Sequence, residues 1–140
     1  MRLVITTPTA IVADVSGVTA VRAEDESGSF GILEGHTDFL TVLTVSILRW
    51  REDGGSERYC ALRHGVLTVR GGREVMVSTR EAVFGADADQ LESAVLSRFR
   101  DTAEEEATAR ADSLRLQMTA IRRIIHYLRP GGSSVLGRKL

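Results

Sequence analysis

The sequence predicts an all-β sandwich, a flattened barrel of about ten short strands over residues 1–85, followed by an α-helical antiparallel hairpin over residues 86–130. Two compositional shifts predict this division. Ten of the 13 glycines lie in residues 1–85, and none lies in residues 86–130. Val, Ile and Thr together number 25 in the first 85 residues and only 7 in the next 45. β-Branched residues favour strands, and glycine favours the tight turns that join them.

The strands are short and turn residues separate them. Gly54-Gly55 and Gly71-Gly72 each stand between two apolar segments and predict hairpin turns. A series of short strands in 85 residues is typical of a sandwich or a flattened barrel. The predicted strand segments, in chain order, are Leu3 to Ile5, Ala10 to Val12, Val15 to Ala23, Ile32 to Leu33, Thr37 to Leu43, Val45 to Arg51, Arg58 to Leu62, Val66 to Val69 and Glu74 to Ser78.

The first predicted helix begins at Asp87 or Asp89, whose carboxylate can accept backbone N–H bonds. An apolar stripe then recurs every four residues, and its small final members would let a partner helix approach closely. The members of this stripe are Leu91, Val95, Phe99, Ala103 and Ala107.

The second predicted helix begins at Asp112 or Ser113, after a short break at residues 110–112, so the two helices should form a hairpin. Pro130 ends the second helix and leaves residues 131–140 as a flexible tail. The seam of this helix has coiled-coil spacing and consists of Leu114, Met118, Ile121, Ile125 and Leu128.

Composition excludes several classes of protein. The single cysteine, Cys60, excludes an internal disulfide framework and a multi-cysteine zinc site. No apolar run is long enough to span a bilayer, so we expect no direct membrane insertion. The net charge is −2 over residues 1–85, −5 over residues 86–112 and +6 over residues 113–140. Such segregation indicates mutual pairing or two different partners.

Candidates for chemistry are few. The histidines His36, His64 and His126 have no metal-ligand spacing, so we expect no metal site. Cys60 is most simply a buried strand residue, and an enzyme using Cys60 with a histidine is the weakest interpretation. The basic patch is small and the whole chain is slightly acidic, so we expect no nucleic-acid partner. The basic last helix favours an acidic protein surface, although a solvated arginine face is the simpler alternative.

The segment Gly28-Ser29-Phe30-Gly31-Ile32-Leu33-Glu34-Gly35-His36 is the most unusual part of the sequence. It combines three glycines, a phenylalanine, two aliphatic residues and a histidine between predicted strands. One interpretation is an ordinary glycine-rich connection. The functional interpretation is a rim loop that presents Phe30, Glu34 and His36 to another protein, with Phe30 poorly covered and free to act as an interface anchor.

This segment resembles the G-x-x-G-I-L-P-G-H-A-P-L-L-T-x-L signature of the epsilon subunit of F-type ATP synthases. Gly65-Val66-Leu67-Thr68-Val69 is similar to the family's G-I-L-E-V strand. Glu34 replaces the family's proline, and Thr37-Asp38-Phe39 replaces Ala-Pro-Leu. The opening MRLVITTPT and the ending IRRIIHYLRP resemble the alternate, sodium-translocating type of bacterial ATPase.

The resemblance implies a rotor component. The family's sandwich contacts the gamma subunit of the central stalk and the polar loops of the membrane c-ring. The corresponding rotor and c-ring interface here would consist of Ser29, Phe30, Glu34 and His36. The family's helical hairpin can extend toward the catalytic beta subunits and impede hydrolysis. The residues that match this regulatory role in charge and placement are Arg115, Arg122, Arg123 and Arg129.

Some bacterial members of the family bind ATP through an I/L-D-x-x-R-A motif. In the corresponding segment only Asp89 is kept, and Glu92 stands where the arginine should be. A carboxylate there would repel phosphates, so we expect no ATP binding and no cofactor.

The favoured function is therefore a non-catalytic rotor subunit. It would couple the stalk to the c-ring for ATP synthesis and hydrogen-ion or other ion transport, as a peripheral protein on the cytoplasmic face of the bacterial inner membrane. Restraint of ATP hydrolysis by the hairpin would be a further role. The alternative is a free-standing β-sandwich protein-binding module whose basic helix docks an acidic partner.

Overall fold

A computed structural model describes residues 1–128 of the chain. Ten strands precede a helical segment, so the predicted class of a β-sandwich followed by helix is confirmed. The predicted flexible tail lies outside the described residues. The strands are β1 (Arg2–Thr7), β2 (Ala10–Val15), β3 (Val18–Asp25), β4 (Gly28–Leu33), β5 (Phe39–Leu43), β6 (Ser46–Glu52), β7 (Glu57–Leu62), β8 (Gly65–Arg70), β9 (Glu74–Thr79) and β10 (Ala82–Gly85).

The ten strands form one sheet that folds over a common core. Their order is β10-β7-β6-β3-β5-β8-β9-β1-β2, and β4 lies off this path and pairs with Ala20 to Asp25 of β3. All pairs are antiparallel except β1 with β9. β3 is the element that joins the two layers, because Val18 to Arg22 pair with β6 and Asp25 pairs with Leu43 of β5.

The core between the layers has fifteen buried members contributed by eight strands. Alternation of inward apolar and outward polar side chains explains most of it; for example, Leu67 and Val69 of β8 are buried while Arg70 is exposed. The fifteen residues are Leu3, Ile5, Val18, Val21, Ala23, Ile32, Leu43, Leu48, Trp50, Cys60, Leu62, Leu67, Val69, Val75 and Val77.

The helical segment contains one feature that its sequence does not predict. It begins with α1 (Ala88–Leu91), where the Asp87 carboxylate accepts the N–H of Asp89 at 2.9 Å. A π-helical turn (Glu92–Leu96) and α2 (Ser97–Leu128) follow. The π turn inserts one extra residue per turn. The fully buried residues are therefore Leu91, Leu96 and Phe99, and Val95 of the predicted four-residue stripe is only half-buried.

The predicted hairpin is wrong in the structure, because α2 continues through residues 110–112 without a turn. Residues 86–129 contain no glycine or proline, and Ala107, Ala109, Arg110 and Ala111 are strong helix formers. Asp112 does not interrupt the helix; its carboxylate instead forms an ion pair with Arg115 at 3.7 Å. The weak capping preference of Asp112 and Ser113 is thus overridden by the helix propensity on both sides.

The chain divides into two compact units, Met1–Thr102 and Ala103–Leu140, and the second is described as far as Leu128. The first unit contains the sandwich and the start of the helix. There, Leu91, Leu96 and Phe99 form a second apolar cluster with Ala61 of β7, supported by half-buried neighbours from β6, β7 and β10. In the second unit, every described side chain from residue 107 onward is exposed.

Candidate protein-interaction surfaces

An aromatic cluster connects β4 to the loop that follows it. The rings of Phe30 and Phe39 meet edge-on at 5.7 Å between centroids, and the rings of Phe39 and His36 are also 5.7 Å apart. The His36 Nδ1 lies 2.7 Å from the Thr37 carbonyl oxygen, which fixes the plane of the imidazole. Phe39 at the start of β5 is therefore the centre of the cluster, a role that its position in the sequence did not reveal.

The loop that carries His36 is attached to a neighbouring hairpin turn. The Gly35 N–H donates to the Gly72 carbonyl at 2.8 Å, and the Gly71 N–H donates to the Asp38 carboxylate at 2.8 Å. A Cβ at Gly72 would lie 2.8 Å from the Gly35 Cα, so this approach requires glycine. Both glycines also have positive φ, 85° at Gly35 and 67° at Gly72. The two turns thus form one rigid rim.

The four predicted rim residues do not form a single site. Phe30 and His36 meet through Phe39, and Glu34 is exposed in the adjoining turn. Ser29 points to the opposite face of β4, because side chains alternate along a strand. The expected rim loop is largely the strand β4, paired with β3 along its whole length. Phe30 is half-buried against the sandwich core, so the expectation that it lacks local cover is wrong.

Ser29 lies instead in a groove of mixed charge beside β3, β4 and β6. The groove has a volume of about 190 Å³, and its charged lining residues are Arg22, Arg49, Arg100, Glu24 and Glu92. Arg22 and Arg49 are direct cross-strand neighbours, a like-charge arrangement that is unfavourable in an isolated sheet.

The outer face of the other layer carries exposed apolar side chains. Val42 on β5 faces Val66 on β8, and Leu40 faces Thr68, which in turn faces Met76 on β9. Leu40 and Val42 are 65% and 61% exposed. We call Leu40, Val42, Val66 and Met76 the apolar face. The sequence indicates this face because four of the five residues of β5 are apolar, so apolar side chains point both into the core and out to solvent.

The predicted regulatory arginines lie on α2. Arg115, Arg122 and Arg123 are exposed, and Arg129 lies outside the described residues. At 100° per residue, Arg115 and Arg122 share one row of the helix, and Arg123 lies about a quarter-turn away. Mutual pairing of the acidic and basic segments, for example of Glu104 with Arg122, would require the hairpin. In one continuous helix, Glu104 and Arg122 are about 27 Å apart along the axis.

The catalytic alternative has no support at Cys60. The thiol is fully buried, and this burial raises its pKa to about 12, so it stays protonated and non-nucleophilic near neutral pH. Within residues 1–128, no three His, Cys, Asp or Glu side chains gather into a possible metal site. No helix in that range is both long and apolar enough to cross a membrane.

Comparison with known proteins identifies the family to which the chain belongs. Residues 1–85 match the family described as the β-sandwich domain of the ATP synthase delta/epsilon chain. The chain belongs to the ATP synthase delta/epsilon family. The match ends at the last residue of β10, so the family's β-sandwich domain corresponds to all ten strands.

Curated members of the delta/epsilon family extend the similarity into the helix. The chain is 42% identical over 130 residues to the ATP synthase epsilon chain 2 of Paraburkholderia xenovorans, covering 93% of this chain and 94% of the relative. It is 43% identical over 139 residues to the ATP synthase epsilon chain 2 of Cereibacter sphaeroides, covering 98% and 94%. Because these matches cover nearly the whole length, the helical segment belongs to the family resemblance as well.

Two solved structures share the fold at lower sequence identity. A chain of the Euglena gracilis mitochondrial ATP synthase has a TM-score of 0.58 and 24% identity, with 76% of this chain and 62% of that chain covered. A chain of the Tetrahymena thermophila mitochondrial ATP synthase has a TM-score of 0.52 and 19% identity, with 85% and 94% covered. At these identities the similarity establishes the fold.

Proposed function

We propose that this chain is the epsilon-type, non-catalytic subunit of the central stalk of a rotary F-type ATP synthase. The identity of 42% and 43% to two ATP synthase epsilon chains, extending over both the sandwich and the helix, carries this proposal. The exposed apolar face and the protonated Cys60 thiol support a subunit that works by contact. It couples the stalk to the c-ring during ATP synthesis and ion transport.

The apolar face is the proposed docking surface for the gamma subunit of the stalk. Leu40, Val42, Val66 and Met76 are between 38% and 65% exposed, yet they lie together on the outer face of three adjacent strands. Neighbouring exposed apolar side chains of this kind mark protein-interaction sites. Rigid strands hold them, so little conformational entropy is lost when they bind.

The first experiment measures binding of the full chain to its gamma subunit. Leu40→Glu should weaken binding at least tenfold, because a carboxylate would be buried in an apolar interface. Leu33→Glu is the matched control: Leu33 is 63% exposed, on the outer face of β4 and away from the apolar face. Both variants should melt at the wild-type temperature. Equal losses in both variants would contradict this docking surface, and no binding by the wild type would favour the free-standing module.

The rigid rim is the proposed contact with the c-ring loops, and Ser29, on the opposite face of β4, would be a separate contact. His36 and Glu34 are its accessible polar groups, and the half-buried Phe30 contacts Phe39, which in turn contacts the His36 ring. The original prediction that Phe30 is an interface anchor is therefore modified: Phe30→Ala should lower the melting temperature as well as rotor binding.

The basic part of α2 is proposed to restrain ATP hydrolysis by contact with an acidic segment of the catalytic beta subunits. Arg115, Arg122 and Arg123 are exposed, and the Asp112 carboxylate lies 3.7 Å from the Arg115 guanidinium. Exposed ion pairs are weak, so such a contact can form and break readily. Glu92 in place of the family's arginine supports a restraint that does not sense ATP.

The test of this role is hydrolysis by the assembled complex. Changing Arg115, Arg122 and Arg123 together to alanine should raise ATP hydrolysis several-fold at low salt, with subunit stoichiometry unchanged. High salt should reduce the difference, because exposed charge pairs are screened. Unchanged hydrolysis in the triple variant would mean that the basic face is only a solvated surface.

Assembly in the stalk would place the chain as a peripheral subunit at the cytoplasmic face of the bacterial inner membrane. Membership of the alternate, sodium-translocating type of ATPase also stays a prediction. The two relatives with 42% and 43% identity are both called epsilon chain 2, which supports a second type of epsilon chain.

A further inference from the structure

A recess of about 490 Å³ adjoins the groove of mixed charge, and Arg22 and Arg49 line both of them. The floor of the recess carries little side-chain volume, because Gly31 and Ala20 are diagonal neighbours on β4 and β3. A Cβ at Gly31 would meet no atom nearer than 3.9 Å, so the glycine leaves open space there. The recess is therefore an open pocket beside two arginines.

The two arginines have no acidic partner. Arg22 on β3 and Arg49 on β6 lie directly opposite each other, and both are exposed. Among the side chains of residues 1–128, no carboxylate forms an ion pair with either guanidinium. Like charges directly opposite each other on a sheet are destabilising, so an anion between them would be stabilising.

The carboxylate of the recess, that of Glu57, is engaged by other groups. It accepts hydrogen bonds from Arg51 at 3.0 Å and from the Tyr59 hydroxyl at 2.8 Å. The Arg49 guanidinium lies instead over the Tyr59 ring, 5.8 Å from its centroid. This cation–π contact restricts the position of Arg49 and leaves the N–H groups at the edge of its guanidinium available to a ligand.

We propose that the recess binds a phosphate group between the guanidinium groups of Arg22 and Arg49. A planar guanidinium donates two parallel N–H groups in a fork that matches two phosphate oxygens, and two such forks can bind one phosphate. The recess does not include residues 88–93, where the family's ATP motif is degraded. Phosphate binding here is thus independent of that motif.

Free phosphate and the headgroup of an anionic phospholipid offer the same phosphate chemistry. Leu33 lines the recess and is 63% exposed, so it would contact the glycerol or acyl part of a lipid. The carboxylates of Glu24 and Glu92 lie in the adjoining groove and reduce the positive potential near the two arginines. They predict weak binding that increases when one of them is removed.

The main test is a titration of the ¹⁵N-labelled full chain with sodium phosphate, with sodium chloride added to keep the ionic strength constant. The Nε–H signals of Arg22 and Arg49 should shift together and saturate. Arg22→Gln and Arg49→Gln should each weaken binding about tenfold, measured on the arginine that remains. The matched control is Arg70→Gln, an exposed arginine of β8, which should change binding by less than about twofold. A wild type without saturable shifts, or equal losses in all three variants, would overturn the proposal.

Two further variants test the recess itself. Gly31→Val should abolish phosphate binding by filling the floor, and it should keep the fold because the position has room and valine favours strands. Glu24→Gln should instead strengthen binding about threefold, because it removes a nearby negative charge. Unchanged phosphate affinity in both variants, at the wild-type melting temperature, would show that phosphate does not bind in this recess.

Flotation with vesicles identifies the source of the phosphate group. Vesicles of phosphatidylcholine with phosphatidylglycerol are compared with vesicles of phosphatidylcholine alone. Flotation that requires phosphatidylglycerol and is lost in Arg22→Gln and Arg49→Gln would assign the lipid headgroup. Saturable binding of inorganic phosphate without flotation would assign free phosphate. Flotation that persists in both variants would overturn the lipid assignment, since another basic surface would then account for it.

Discussion

The apolar residues in two parts of one helical segment differ in their exposure to solvent. In the first part, Leu91, Leu96 and Phe99 are at most 4% exposed and pack against Ala61 of β7. In the second part, Leu114 and Ile121 are more than half exposed. Apolar residues recur with helical periodicity in both parts. Periodicity alone therefore does not predict whether an apolar stripe is buried in the fold or exposed.

The difference lies in the surface available to each part. β6, β7 and β10 present half-buried side chains, including Ile47, Tyr59 and Val83, which the start of the helix covers. The second part has its own asymmetry of size and charge, with alanines and glutamates first and large aliphatics and arginines later. We therefore expect the first part to determine stability and the second to determine association.

Truncation tests this contrast with the largest expected effect. A fragment ending at Gly85 should still unfold cooperatively, because all fifteen core residues belong to it. A fragment ending at Thr102 should be more stable, since it also buries Leu91, Leu96 and Phe99 at roughly 1.5–3 kcal/mol each before the ordering entropy is subtracted. Urea unfolding of the two fragments and the full chain measures both differences.

The full chain should be no more stable than the fragment ending at Thr102, because the described side chains from residue 107 onward are exposed. A fragment ending at Gly85 that is molten would show that the sandwich does not fold alone. A full chain that is several kcal/mol more stable than 1–102 at low concentration would show that the second unit stabilises the fold.

A pair of point variants makes the same comparison residue by residue. Phe99→Ala should destabilise the monomer by about 3–5 kcal/mol, because it leaves a cavity in a cluster with no exposed surface at Phe99. Ile121→Ala should change monomer stability by less than about 1 kcal/mol, because the side chain is half exposed and alanine has the higher helix propensity. Comparable losses in both variants would remove the distinction between the two parts.

The strands were largely predictable because turn glycines and alternating apolar residues lie close together in the sequence. Gly71-Gly72 does form the turn between β8 and β9, and the predicted strand ending at Ser78 extends only one residue further. The prediction of one strand from Val15 to Ala23 was wrong, because Gly17 has a φ of 73° and separates β2 from β3. β10 was missed, since four residues are too few to establish a pattern.

Features that depend on distant contacts were not predictable. The π turn replaces Val95 by Leu96 in the buried cluster, and only the surface beneath the helix selects that shift. The role of Phe39 depends on the approach of β4 to β5, which both pair with β3 but not with each other. The continuous α2, in contrast, was predictable from the sequence, because residues 110–112 and their neighbours contain no glycine or proline. The prediction of a hairpin instead gave too much weight to Asp112 and Ser113 as possible caps.

The smallest expected effect is electrostatic. It is a pH-dependent change in melting temperature that is expected for a carboxylate of the first unit and not for one of the second. Asp25, at the junction of β3 and β5, accepts hydrogen bonds from Ser27 and from the Thr41 hydroxyl at 2.7 Å, and these bonds hold its pKa below the ordinary value of 3.8. A lowered folded-state pKa means that the unfolded chain binds the proton more readily. The stabilisation is therefore present above that ordinary value and is lost as the pH falls through the folded-state pKa.

Asp25→Ala should lower the melting temperature at pH 7, and the difference in melting temperature from the wild type should narrow below about pH 4. Asp112→Ala, which removes an exposed carboxylate of the second unit, is the matched control and should leave the melting temperature unchanged at both pH values. A gap for Asp25→Ala that is constant from pH 7 to pH 3 would show that the loss comes from packing, and that the charge of Asp25 has no part in joining the two layers of the sandwich.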